Sequence, residues 1–407
     1  MRLADRYRRV RERTARLCAP LTPEDQVVQP MPEASPAKWH LAHTTWFFEE
    51  LVLGGPAFDE SFRFMFNSYY EALGRRWERA RRGMLTRPPL ERVQAYRTAV
   101  DRRVLGALVE GALDEAALAR LELGLHHEEQ HQELILSDAA FVLGTQALQP
   151  AYRGDLPRGA TGAPSPVKLV GFDGGLRSIG AGDDGFAFDN ERPRHQVFVQ
   201  PFSIASRPIA NAEVLAFIEA GGYRDARHWL SDGWATVQRE GWRAPLYWND
   251  DGTAWDLAGV RAIDPGETAC HLSYYEADAI ARWLGARLPT EAEWEIAAQD
   301  LASDRGNFVD DDRLHPSRAE EASGLAQMFG DVWEWTSSSY APYPGFRPLE
   351  GALGEYNGKF MSGQQVLRGG SCWTPRGHAR ASYRNFFPPA ARWQMSGARV
   401  ARDGAKG

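Results

Sequence analysis

The chain has 407 residues, with 47 basic and 54 acidic side chains and a formal net charge of −7, a length that predicts two or three domains with ample core. The mild acidity argues against nucleic acid or an anionic membrane as the main partner and leaves small molecules as the expected one. Three cysteines, Cys18, Cys270 and Cys372, are odd in number, far apart and without a CxxC pairing, which argues against a disulfide framework and predicts a reducing compartment. Residues 4 to 19 read as a first helix: Arg alternates with apolar residues and no continuous apolar core interrupts them, so the segment is not a signal peptide. No run of roughly eighteen apolar residues follows anywhere, so no membrane span is expected and the predicted location is cytoplasmic.

After a Pro-punctuated connector (22–34), Ser35 is placed as N-cap and Pro36 as first helical residue of a second helix through KWHLAHTTWFFEELVL. In it Trp39, His43, Trp46, Phe47 and Glu50 share a face, which puts His43 on the buried stripe and His40 toward its edge. FRFMFNSYYEALGRR (62–76) is aromatic but broken by Asn67, Ser68 and Gly74, and reads as an ordered loop or helix end. Tyr69 and Tyr70 there serve either as packing residues or, beside a metal, as proton donors. A third helix is expected over 87–108 and a fourth over 114–145, so that the first 146 residues form a four-helix bundle.

On the fourth helix Leu123, His127, His131, Leu134 and Phe141 fall along one stripe. A neutral imidazole buried without partners costs a few kcal/mol, so two of them on an apolar stripe call for a reason. Metal ligation is one, because the i,i+4 spacing offers two nitrogens to a single ion; two satisfied polar residues of a bundle helix is the other. An inward His43 on a neighbouring helix would supply the third ligand.

Residues 147–168, rich in Pro, Gly and Ala, read as a linker, and the character of the chain changes after it. From 169 to 407 the apolar runs are short, HQVFVQPFSIA and QQVLRGGSCW read as strands, and most of the 14 Trp lie in this half. Two helices are expected, one over 273–285 and one after Pro289, capped by Thr290 with Glu293 in the capping-box position. The fold class is α+β and multidomain, with domains at 1–146 and 169–407.

WHLAHTTWFFE, HHEEQHQE and NSYYEALG resemble the iron-binding, DinB-type bundle of the ergothioneine-forming sulfoxide synthases. FDNERPRH, ARLPTEAEWE, GDVWEWTSS, LRGGSCW and YRNFFPPAARWQMSGARVAR resemble their partner domain, which has the formylglycine-generating-enzyme fold related to C-type lectins. The likeness covers nearly the whole chain, and its specificity lies in the co-occurrence of two otherwise widespread domains. It implies that His43, His127 and His131 hold Fe(2+), that Gln130, Asn385 and Phe386 bind hercynine, and that Tyr69 or Tyr70 supplies a proton during oxygen activation. It further implies O2 and a thiol, cysteine or γ-glutamylcysteine, as co-substrates, or a selenosugar in the selenoneine branch, with the site at the junction of the two domains. Formylglycine-generating activity is expected to be absent, since RASYRNFF carries no cysteine and Cys372 stands alone.

Three imidazoles on one face leave three of six octahedral positions open, enough for an imidazole, a thiolate and dioxygen together. A tetrahedral zinc would leave one position and no route to oxidise a C–H bond. Two other readings remain beside this one: a zinc-dependent DinB-type thiol transferase, and a non-catalytic protein whose lectin-like half binds a small molecule.

Overall fold

The computed structural model describes residues 3–68, 70–71, 74–159, 161–321, 324–355 and 357–404. The chain divides into two compact units, Met1–Arg153 with Glu350–Tyr356, and Gly154–Leu349 with Asn357–Gly407. The break at 153/154 falls within the Pro/Gly/Ala-rich stretch. No helix among the described residues is long and apolar enough to cross a membrane.

The first unit is helical: α1 (Leu3–Cys18), α2 (Ala37–Phe47), α3 (Glu60–Met65), α4 (Leu90–Glu110) and α5 (Glu115–Gly144). α5 packs on α1 and α2, and α2 packs also on α4, so the four long helices share one core. α1 buries Tyr7, Val10, Thr14 and Leu17, a three-to-four-residue spacing that lines one face. α4 ends at Gly111, whose φ of 64° is the left-handed cap that glycine supplies without strain. α5 starts where the Asp114 carboxylate accepts the Ala117 N–H at 2.7 Å.

Two expectations drawn from helical periodicity are corrected. Every residue of α2 is buried, so that helix has no exposed face. On α5 Leu134 and Phe141 are half-buried whereas Glu128, Gln132 and Asp138 are buried, because α5 is packed on several sides and its polar residues have partners inside. Glu128 takes Arg11 at 2.9 Å and Thr14 at 2.6 Å. Ser35 is not the cap of α2 either: its N–H donates to Asp138 at 2.8 Å and its hydroxyl accepts from Arg82 at 2.9 Å. After α2 the chain widens into a π-helical turn, Phe48–Leu53. A Cβ on Gly124 would come within 2.7 Å of Phe48 and 2.8 Å of Phe47. Glycine inside a helix costs about 1 kcal/mol relative to alanine, and here it lets α5 meet those two rings one turn before His127.

The second unit holds three β1–β4–β11 strands, Leu169–Phe172, Phe202–Ala205 and Ala401–Asp403, paired antiparallel. A second sheet runs β10–β7–β8–β9, with β7 at Trp333–Ser339, β8 at Gln365–Arg368, β9 at Asn385–Phe387 and β10 at Ser396–Gly397; only the β10–β7 pair is parallel. Two hairpins, β2–β3 (Gly175–Ile179, His195–Val199) and β5–β6 (Thr253–Asp256, Gly259–Ala262), complete the strands. HQVFVQPFSIA thus supplies strands to two different sheets, with Gln200 and Pro201 between them. Among the described residues the α-helices of this unit are α6 (Asn211–Glu219), α7 (Ser231–Glu240), α8 (Tyr274–Trp283) and α9 (Glu291–Ala298). Thr290 caps α9, with Glu293 reciprocating, as its sequence predicts. α6 and α7 go beyond the sequence expectation: their N-caps, Ala210 and Leu230, offer no capping side chain, whereas α8 and α9, of similar length, begin at Ser273 and Thr290.

Much of this unit is irregular, and buried ion pairs tie its loops to its core. Arg399 bridges Glu334 at 2.6 Å with both side chains fully buried, and Trp294 donates to the same carboxylate at 2.7 Å. Glu291 takes Arg368 and Arg384, each at 2.8 Å. Glu191 takes Arg380 at 2.6 Å. Apolar packing of Trp294, Phe308, Phe329 and Phe202 fills the space around them.

Candidate metal centre

Three histidines from two helices converge in the first unit. His43 comes from α2, His127 and His131 from α5, and a ligand atom from each lies within 4.8 Å of the other two. Their ring centroids are 4.5 to 5.0 Å apart, and the rings are 0%, 1% and 4% exposed. Since metal–imidazole bonds measure about 2.0–2.1 Å, two such bonds span up to about 4.2 Å, so small side-chain rotations bring all three nitrogens onto one ion.

The surroundings fix how His43 presents itself. Its Nδ1–H donates to the Phe66 carbonyl at 2.7 Å, which leaves Nε2 as a bare lone pair. That Nε2 is buried and has no hydrogen-bond partner among the described residues. Trp39 and Trp46, at i−4 and i+3, both stack on the ring, with centroids at 4.5 and 5.8 Å. A buried lone pair aimed at two more imidazoles in an apolar cage is an unmet acceptor that a cation satisfies.

Burial holds all three imidazoles neutral, the state in which they ligate. It pushes His127 down to about 3. Burial, reinforced by His127, takes His43 well below the ordinary range, and burial followed by His127 and His43 does the same to His131. The donor set therefore fits a divalent metal of intermediate softness. The three cysteines take no part: none is in a disulfide, and burial pushes the Cys18 thiol up to about 12 and that of Cys270 up as well.

Comparison with known proteins identifies the two halves of the chain. The DinB superfamily matches residues 6–135, and the sulfatase-modifying factor enzyme 1-like domain matches 160–323 and 317–404. The hercynine oxygenase of Mycolicibacterium thermoresistibile is 35% identical over 400 residues, covering 91% of this chain and 88% of that enzyme. The hercynine oxygenases of Mycolicibacterium smegmatis and Mycobacterium tuberculosis are each 34% identical, over 98% of both chains. The chain belongs to the hercynine oxygenase family.

In this hercynine oxygenase family member the remaining predicted site residues fall as follows. Tyr69 lies outside the described residues. Tyr70 is fully buried and stacks on Trp46 at 5.6 Å, so a continuous run of rings joins it to His43. Asn67 clamps it, accepting the Tyr70 N–H at 3.2 Å and donating to the Tyr70 carbonyl at 3.0 Å. The residue that breaks the helical period is thus the one that fixes the tyrosine. Gln130 is half-buried on α5, directly before His131. Asn385 and Phe386 are half-buried on β9 in the second unit. Phe386 stacks on Tyr340 at 4.0 Å, and Asn385 Oδ1 accepts the Phe386 N–H at 2.9 Å. Arg384, ion-paired to Glu291, anchors that strand from behind.

Two residues of the centre escaped sequence reasoning. His40, expected toward the edge of its helix, is 2% exposed and lies 2.7 Å from His131, Nδ1 to Nδ1. Its Nε2 lies 3.1 Å from the Asp138 carboxylate. The available signals were the HxxH spacing of His40 and His43, and the seven residues, two helical turns, between His131 and Asp138.

Proposed function

We propose that this protein is an iron(II)-dependent, O2-consuming enzyme that joins sulfur to the imidazole carbon of hercynine, a step of ergothioneine formation. The observation that carries the reading is the triad of buried, neutral histidines, in a chain aligned along its length with enzymes named hercynine oxygenase. Iron, when bound, would supply one-electron redox chemistry and open coordination positions for dioxygen and substrates.

The chain's own side chains then have distinct tasks. His43, His127 and His131 hold the ion, and Trp39 and Trp46 keep bulk water from the ligand rings. Asn385 offers amide N–H donors suited to a carboxylate, and Phe386 an aromatic face suited to a trimethylammonium group. Gln130 adds a further amide beside His131. Tyr70, or its neighbour Tyr69, carries a phenol hydroxyl whose proton can pass to reduced oxygen. Binding acceptor and donor at one centre removes the entropy of bringing them together, worth several kcal/mol of barrier, about 7 at the low end for well-oriented pairs.

The test is anaerobic reconstitution with Fe(II), followed by oxygen consumption and product mass with hercynine and each thiol in turn. Oxygen uptake that needs both substrates and yields a sulfoxide is expected. Full activity with stoichiometric zinc would overturn the iron assignment, and turnover only with a selenium donor would move the protein to the selenoneine branch. Replacing Tyr69 and Tyr70 singly by Phe is expected to lower coupled product formation in one variant. Normal rate and product in both would make the pair structural.

A further inference from the structure

The contacts behind His131 form a directed chain that the three-ligand description does not use. Asp138 Oδ2 accepts the Ser35 N–H at 2.8 Å and faces His40 Nε2 at 3.1 Å. A carboxylate only accepts, so His40 Nε2 carries the proton. In a neutral imidazole the other nitrogen is then an acceptor, and His40 Nδ1 lies 2.7 Å from His131 Nδ1. A contact of that length needs one proton between the two nitrogens, and His40 Nδ1 has none to give. His131 Nδ1 therefore donates, and its Nε2 keeps the lone pair.

We propose that Asp138 and His40 are positioning residues of the metal centre, a buried Asp–His relay that fixes the tautomer and orientation of His131 so that Nε2 is its ligand atom. The inference rests on the reading of His43, His127 and His131 as a metal site. It deepens that reading, because the relay also cross-braces the two ligand helices: His40 sits one turn before His43 on α2, and Asp138 two turns after His131 on α5. Asp138 and His40 are 6% and 2% exposed, so water does not compete for these hydrogen bonds. His43 is held analogously by the Phe66 carbonyl. Two of the three ligands thus donate Nδ1–H to a fixed acceptor, one of them backbone and one a charged relay. An acceptor behind a ligating imidazole raises its basicity, and removing one typically weakens metal binding 10- to 100-fold.

The test is titration of the full metal-free chain with Co(II) against a competing chelator, recording the ligand-field spectrum. His40→Leu removes the acceptor and keeps the volume apolar; His40→Gln restores an acceptor oxygen near the same place. The relay predicts about 10- to 100-fold weaker Co(II) binding and a shifted spectrum for His40→Leu, with substantial recovery in His40→Gln. A packing role predicts no advantage for Gln over Leu. Asp138→Asn, which keeps the shape and removes the charge, is expected to weaken binding in the same direction and serves if His40→Leu fails to fold. Wild-type affinity and spectrum in His40→Leu or in Asp138→Asn, or no recovery in a folded His40→Gln, would overturn the relay. Failure of the wild-type chain to bind Co(II) at the three histidines would instead overturn the metal reading beneath it.

Discussion

Both units bury polar side chains, and they do so to opposite ends. In the second, Glu334 with Arg399 and Glu291 with Arg368 and Arg384 are charge-compensated and hydrogen-bonded in place. In the first, His43 presents, toward two further imidazoles, a buried Nε2 with no hydrogen-bond partner among the described residues. Paired burial specifies a fold, whereas an unpaired imidazole lone pair beside two further imidazoles marks a place for a cation; a single unpaired atom such as Arg368 Nε, inside an ion pair, does not. The contrast also runs within the first unit, since Glu128, next in sequence to His127, is fully engaged by Arg11 and Thr14.

The largest effect should come from removing a ligand. His43→Ala, His127→Ala or His131→Ala is expected to lose most of the bound metal while the helical circular dichroism persists. Wild-type metal content in His131→Ala would erase the distinction between the two kinds of burial. Next in size, Arg399→Ala strands the Glu334 carboxylate and should cost about 3–5 kcal/mol. That loss would be read as a lower urea midpoint, with metal content of the folded fraction unchanged. A midpoint within error of wild type would show that this pair is dispensable.

Asn385→Ala tests a polar group proposed for substrate rather than for the fold. A lost hydrogen bond to a charged group costs about 1.5–3 kcal/mol, so hercynine use should weaken roughly ten- to a hundredfold with iron content intact. Unchanged hercynine kinetics would place the pocket elsewhere.

The smallest and most gradual effect is on pH. Burial holds His127 near 3, and His43 and His131 well below their ordinary value of 6.5. Below that value the unfolded chain takes up protons that the folded chain refuses, so the metal-free protein loses stability as pH falls from 6.5, with the His127 share levelling off near 3. His271 of the second unit, held at about 3 by burial, adds to the same window. Glu128 adds a lower one. Burial would raise its carboxyl, but Arg11 and Arg97 together hold it at about 2, so its contribution is present above 4.5 and is lost as pH falls toward 2. Urea midpoints of the metal-free chain should decline between pH 7 and pH 5, and less so once metal occupies the histidines. A flat profile without metal would mean that the imidazoles are not held neutral.

Several of the motifs that marked the second half turn out to be partners of one another. Glu291 of ARLPTEAEWE meets Arg368 of LRGGSCW and Arg384 of YRNFF, and Glu334 of GDVWEW meets Arg399. Their prominence in sequence comes from holding loops to a core, a reason no local pattern displays. His43, His127 and His131 were legible because helical periodicity puts each on the inner side of its own helix. Asn67 and Ser68 were legible as a break and not as the clamp and the Arg82 anchor they form.

By itself the sequence determined the helical first half, the strand-poor second half, the capped start of α9 and the three inward histidines, because periods, caps and turn residues act within a few residues of one another. Only the tertiary structure decided that His40 belongs inside, that Asp138 stands behind it, and that α2 has no solvent face. Those outcomes depend on what packs against each helix from residues about a hundred positions away, such as the 98 separating His40 from Asp138. A helical period specifies which residues share a side and is silent on how many sides are covered.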